Sequence, residues 1–166
     1  MKNARFADKV MRFTQGAMAA GLGVMAVVVF INVVLRYGFG SGIAASEELS
    51  RLLFVWVVFM GAAAAYPAGE HMAFTSLAAA VQGRPRIFGA LTVLIRLLVI
   101  AACAMLAWGA WQQVVVGMGS RSVVLGYPTS LLPLPALLCA LSMGVMALIE
   151  LIQRTPLDLG HGVEVE

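Results

Sequence analysis

Four apolar runs, roughly 16–35, 49–66, 87–111 and 131–152, take up most of this chain. About 20 apolar residues, rising about 1.5 Å each, cross the roughly 30 Å hydrocarbon layer of a bilayer, and each run is about that long. With 61% of the 166 residues hydrophobic and 11% charged, the balance lies outside the range of soluble domains. The connections between runs are too short to hold a globular domain. The sequence therefore predicts an all-α membrane protein, a compact bundle of four transmembrane helices forming a single membrane domain over 1–166.

The basic residues set an expected orientation. Lys2, Arg5, Lys9 and Arg12 precede the first run, Arg84 and Arg86 lie in the second connection, and Arg154 follows the last run. Arg36, Arg51 and Arg121 lie on the opposite side, and Arg96 falls inside the third run. The positive-inside rule then places both termini in the cytoplasm. The net charge of +3 follows membrane flanks and gives no reason to expect a nucleic-acid partner. The first run is too long for the apolar part of a cleaved signal peptide, so it is expected to be retained as a span. Phe6, Val10 and Phe13 recur at helical spacing beside the basic residues, so 2–13 is expected to be either a short interfacial helix in contact with membrane lipid or a frayed basic tail that only sets topology. A second interfacial helix is expected in the second connection, from Met72, Phe74, Leu77, Ala78 and Val81.

Polar residues at or within the spans are the candidate functional positions, because burying them in hydrocarbon is costly unless they are paired. Asn32 is the strong hydrogen-bonding side chain of span 1 and is expected to bond to a neighbouring helix, with an ion ligand as the lesser alternative. Span 2 opens with Ser46-Glu47-Glu48-Leu-Ser-Arg51. Ser46 reads as an N-cap. The two carboxylates favour the positive end of the helix dipole. Arg51, three and four residues on, lies within reach of both. This cluster is either an intrahelical salt bridge at a capped start or a polar anchor for another membrane subunit, with Arg36 joining it from the end of span 1. Gly61 and Ala62–Ala65 offer a small surface for close helix packing. His71, beside Glu70, is a boundary residue with a surface or docking role. Arg96 either reaches the inner headgroups or meets a carboxylate. Glu150 and Arg154, four apart, are expected to pair. Ala140 and Gly144 form a small-xxx-small contact. Cys103 and Cys139 lie at similar depth in spans 3 and 4 and read as apolar fillers.

Several chemistries lack their residues. A haem bundle needs histidines within the spans, and His71 and His161 both lie outside them. There is no CxxC pair for thiol exchange, and no constellation suited to catalysis, cofactor binding or metal ligation. No span is broken at its centre by Gly or Pro as a sodium-coupled carrier requires. Nor does any span bury a carboxylate as proton-coupled export requires.

The block Arg36-Tyr37-Gly-Phe-Gly, Glu47-Glu48-Leu-Ser-Arg51, Val-Val-Phe-Met-Gly61-Ala-Ala-Ala-Ala-Tyr66 and Gly69-Glu-His71 resembles the small membrane subunit of tripartite ATP-independent periplasmic (TRAP) transporters. Gly126-Tyr-Pro128 followed by a Pro133-led span is similar to that family as well. The resemblance extends over nearly the whole chain. It implies a bacterial inner-membrane, multi-pass, non-enzymatic scaffold for a large multi-span transport subunit. That complex uses a sodium gradient to import organic acids delivered by a periplasmic substrate-binding protein. His71-Met-Ala-Phe-Thr-Ser76 departs from the family pattern in lacking the basic and acidic residues that commonly follow the histidine. The competing classes are a self-contained homodimeric transporter and an assembly subunit of another membrane complex.

Overall fold

The computed structural model describes residues 2–66 and 85–153, with side chains over 9–66 and 87–153. Helix α1 runs Lys2–Phe39, α2 Ala44–Ala65, α3 Pro85–Met118 and α4 Leu134–Gln153. A short 3-10 turn, Thr129–Leu131, precedes α4. Each of the four helices contains a stretch long and apolar enough to cross a membrane, and the described residues hold no strand.

Two local expectations change. The segment 2–13 is not a separate interfacial helix, because α1 is continuous from Lys2 to Phe39. Its 38 residues extend about 57 Å at about 1.5 Å each, well beyond a hydrocarbon layer. No proline interrupts this stretch, and Gly16 alone does not stop a helix. The helix ends at Gly40, whose φ of 72° is the left-handed conformation that glycine adopts without strain. The second correction concerns Ser46. Helix α2 begins two residues earlier, with Ile43 at the N-cap, and the buried Ser46 hydroxyl donates to Ile43 O at 2.8 Å. The expected helix in the second connection lies outside the described residues.

The helices pack in the order α1–α2–α4–α3, so α4 sits between α2 and α3 and α1 rests chiefly on α2. Four membrane helices are thus present, as expected, and their main contacts run between neighbours in that order. Helix α1 meets α2 along one seam. Its half-buried residues Met11, Thr14, Met18, Gly21, Met25, Val28, Asn32 and Leu35 alternate steps of three and four, with Ala17 beside Met18. That is the 3.5-residue repeat by which two helices stay in register as they wind together. Along the seam Gly21 faces Val57 and Gly61 faces Met18, close enough that an added Cβ would lie 2.9 Å and 3.4 Å from those side chains.

Asn32 closes the top of this seam. Its Oδ1 accepts the backbone N–H of Ile43 at 2.7 Å, supplying a partner at the start of α2 where no earlier turn exists. The expected bond from Asn32 to a neighbouring helix is present. Asn32→Leu keeps the volume and removes the acceptor, and is expected to lower stability by about 1 kcal/mol. A melting curve of the purified protein in detergent checks this.

The α3–α4 contact is the tightest part of the molecule. Ala110, Val114, Ala136 and Leu137 form a buried cluster, with Phe59 of α2 packed against it. Ala140 and Ala147 are essentially inaccessible, and a Cβ on Gly144 would sit 3.4 Å from that of Cys103. The small residues of α4 therefore do what their spacing suggests, letting α3 approach closely. Cys103 and Cys139 are both buried and both free.

Candidate functional site

Charged and polar residues gather at two levels. The first lies at the end of the molecule where the α1–α2 turn and the α3–α4 connection meet. Arg36 Nη1 stands 3.9 Å from Glu47 Oε1, and both side chains are largely exposed. Such a pair contributes little, about 0–1 kcal/mol where water reaches it. Arg36 thus joins the cluster as expected, and Gly42 packs beneath it, where an added Cβ would meet Asn32 Oδ1 at 3.3 Å. Glu48 turns the other way. Its Oε2 accepts the backbone N–H of Leu125 at 3.1 Å, joining the start of α2 to the distant connection. Arg51 is exposed and belongs to neither ion pair among the described residues. The intrahelical bridge from Arg51 to Glu47 or Glu48 is therefore not formed. Both carboxylates have partners on other segments.

The α3–α4 connection is held as a small hairpin. Arg121 and Pro128 form an isolated antiparallel bridge, Ser122 N–H donates to Tyr127 O at 2.8 Å, and Gly126 takes a φ of 71° at the turn. Thr129 Oγ1 donates to Gly117 O at 3.2 Å and accepts from the Ser120 hydroxyl. Lower down, the indole N–H of Trp56 donates to Leu131 O at 3.0 Å. Glu48 and Trp56 thus clasp one connection from positions about two turns apart on the same helix. Glu48→Gln keeps an acceptor for Leu125 and is expected to melt within about 0.5 kcal/mol of the parent. Glu48→Ala removes it and is expected to cost about 1–2 kcal/mol, the range for a hydrogen bond to a charged group that is part exposed. Comparing the two variants by thermal unfolding tests whether the carboxylate acts as an acceptor or as a charge.

Trp56 was not among the residues that the sequence singled out. The signal was present: its indole N–H is a strong donor in a stretch otherwise almost without donors, and a tryptophan buried in an apolar setting usually finds an acceptor.

The second level lies toward the other end. Arg96 is buried, with its side chain 9% exposed. Its Nη1 donates to Glu150 O at 2.7 Å, and its Nη2 lies 3.7 Å from Glu150 Oε2. The hydroxyl of Tyr66 donates to the same carboxylate oxygen at 3.3 Å. Arg96 therefore meets a carboxylate, and does so inside this chain. Glu150, which the sequence paired with Arg154, is engaged by residues of α3 and of the end of α2; Arg154 lies outside the described residues. Three helices are joined at one oxygen-rich point. Gly61 packs on Met18 of α1, so it serves contact within the chain. His71 lies outside the described residues.

Comparison with known proteins places this arrangement. Residues 25–156 match the family described as tripartite ATP-independent periplasmic transporters, DctQ component. The chain belongs to the DctQ family of TRAP transporter components. Two proteins of Haemophilus influenzae that carry the name TRAP transporter small permease protein are similar to it. One is 36% identical over 111 residues, covering 66% of this chain and 67% of its own length. The other is 29% identical over 153 residues, covering 92% and 90%. The chain is accordingly a multi-pass membrane protein and a small permease component of a TRAP transporter, in a family of transport proteins. The matched region takes in Arg36, Glu47, Glu48, Arg51, Arg96 and Glu150, so both polar levels lie within the part shared with the family.

Proposed function

We propose that this small permease component is a non-catalytic scaffold in the bacterial inner membrane, with both termini in the cytoplasm. It holds a large multi-span transport subunit that imports organic acids on a sodium gradient, after a periplasmic binding protein has delivered them. The observation that carries the reading is the engagement of Arg96. Arg96, the charged residue farthest inside a predicted span, is buried and paired with Glu150, where it joins α3, α4 and the end of α2. A carrier's coupling residue must exchange partners as ions come and go. Arg96 is instead held by a short hydrogen bond to a backbone carbonyl and an ion pair with the carboxylate of the same residue, which suits a structural tie. The stacking of the helices supports the same reading, since α1 and α2 carry exposed residues that no other described helix covers.

The test is co-purification. The tagged chain, expressed with its cognate large subunit and extracted in mild detergent, is expected to retain that subunit in a stable ratio. Cells lacking this chain are expected to show less large subunit in the membrane and to lose uptake. Uptake that persists at the normal rate without this chain would rule out an essential scaffold.

A further inference from the structure

The first turns of α1 carry the densest positive charge of the chain. Lys2, Arg5, Lys9 and Arg12 are spaced by three, four and three residues within the continuous helix Lys2–Phe39, so their positions share one stripe. Asp8 is the only acidic residue before Glu47. Lys9 and Arg12 each stand two residues, about 200° of helix, from the seam residues Met11 and Thr14. The cations therefore lie on the face of α1 turned away from α2. Lys9, Arg12 and the adjoining Phe13 are exposed, Phe13 to 77%. Neither Lys9 nor Arg12 takes part in an ion pair among the described residues.

Depth says what partner fits this stripe. Helix α2 has 22 residues, about 33 Å, which is just enough to cross about 30 Å of hydrocarbon, so its ends mark the edges of that layer. Gly61 faces Met18, and α1 and α2 run antiparallel, which sets Ala65 at the end of α2 level with Thr14. Arg12 and Lys9 then lie about 3 Å and about 7.5 Å beyond that edge along α1. Lipid headgroups occupy roughly the same interval, about 5–7.5 Å on each side of the hydrocarbon. Phe13 sits at the edge itself. Gly16, next along the stripe, leaves open space where a side chain would stand. Two cations at headgroup depth, followed by an aromatic ring and an open apolar surface, match the order of charge and hydrocarbon in a lipid. A soluble anion would match only the cations.

We infer that this stripe seats an anionic phospholipid, with its phosphate held by Lys9 and Arg12 and its acyl chains lying along Phe13 and Gly16. Basic residues clustered at the end of a span attract anionic lipid with a gain of about fivefold each. A zwitterionic headgroup brings its own cation and gains less. The positions of Lys2 and Arg5 continue the stripe outward. Assignment to the inner leaflet rests on the cytoplasmic N-terminus proposed above; the seat itself does not.

The test uses the full chain, purified in neutral detergent and given equal amounts of phosphatidylglycerol and phosphatidylcholine with identical acyl chains. Retained lipid is counted by native mass spectrometry. The parent protein is expected to retain phosphatidylglycerol in preference. That preference is expected to fall at least about fivefold in the double variant Lys9→Gln/Arg12→Gln and to persist in Lys9→Arg/Arg12→Lys. Each variant is melted alone to establish that it folds. A photo-reactive amino acid at Phe13, with both cations intact, is expected to capture phosphatidylglycerol over phosphatidylcholine, and it decides if the double variant does not fold. Equal retention of the two lipids by the parent protein would overturn the seat. So would a preference that survives in the folded double variant, or a probe at Phe13 that captures both lipids alike or only a second copy of this chain. None of these results bears on the scaffold reading, because no other subunit is present.

Discussion

Arg96→Leu is expected to destabilise the protein by about 3 kcal/mol, one of the two largest effects of a single substitution in this chain. The variant leaves Glu150 with a carboxylate and a backbone carbonyl that have lost their guanidinium, at a site where Arg96 is almost fully enclosed. Removing one partner of a buried pair costs more than removing both, because the remaining charge keeps its desolvation penalty without its compensation. The value stands at the low end of the usual range because the Glu150 side chain is still 40% exposed. Glu150→Gln in the Arg96→Leu background is expected to recover much of the loss, since a neutral amide still accepts from Tyr66. Unfolding of the single and double variants in detergent measures the coupling directly. Equal losses for the single and the double variant would show that Arg96 contributes packing and not pairing.

Gly117→Ala is the second large effect, also about 3 kcal/mol, at the upper end of the cost of overpacking. A Cβ at this position would lie 2.5 Å from Ser130 N and 2.8 Å from its Cα. Those are backbone atoms of the connection that folds back onto α3, and they cannot rotate away as a side chain would. The connection must shift, and with it the Thr129 hydroxyl that donates to Gly117 O and the carbonyl of Leu131 that Trp56 holds. Gly109→Ala in the same helix is the control. Nothing lies within 4 Å of its added Cβ, so the substitution is expected to be neutral or to gain up to about 1 kcal/mol from helix propensity. A melting difference between the two variants isolates the close approach from any general effect of replacing glycine.

The four spans were legible because length and apolarity alone dictate them, and each predicted run overlaps one of the four described helices long enough to cross a membrane. Partnerships were less legible, for reasons that particular residues make plain. Glu150 and Arg154 satisfy a local spacing rule, but nothing local indicates that Arg96, more than fifty residues earlier, reaches the same carboxylate across a packed pair of helices. Glu47, Glu48 and Arg51 also satisfy such a rule. Their actual partners, Arg36 at the end of α1 and the Leu125 N–H in the α3–α4 connection, depend on how the helices stack. The α1 seam was readable in principle from Met11, Thr14, Met18, Gly21, Met25, Val28, Asn32 and Leu35. It was hidden because most positions between these residues are apolar too, so hydrophobicity does not distinguish the packed face from the lipid face. Asn32 was the exception: a lone amide in hydrocarbon must find a partner, and its bond to Ile43 follows from that need.

The most direct test of the scaffold account is flux in liposomes of defined composition. Three preparations are compared under an inward sodium gradient with substrate-loaded binding protein outside: this chain alone, the large subunit alone, and both together. The account requires uptake from the two subunits together and none from this chain alone. Sustained gradient-driven uptake by this chain alone would contradict it.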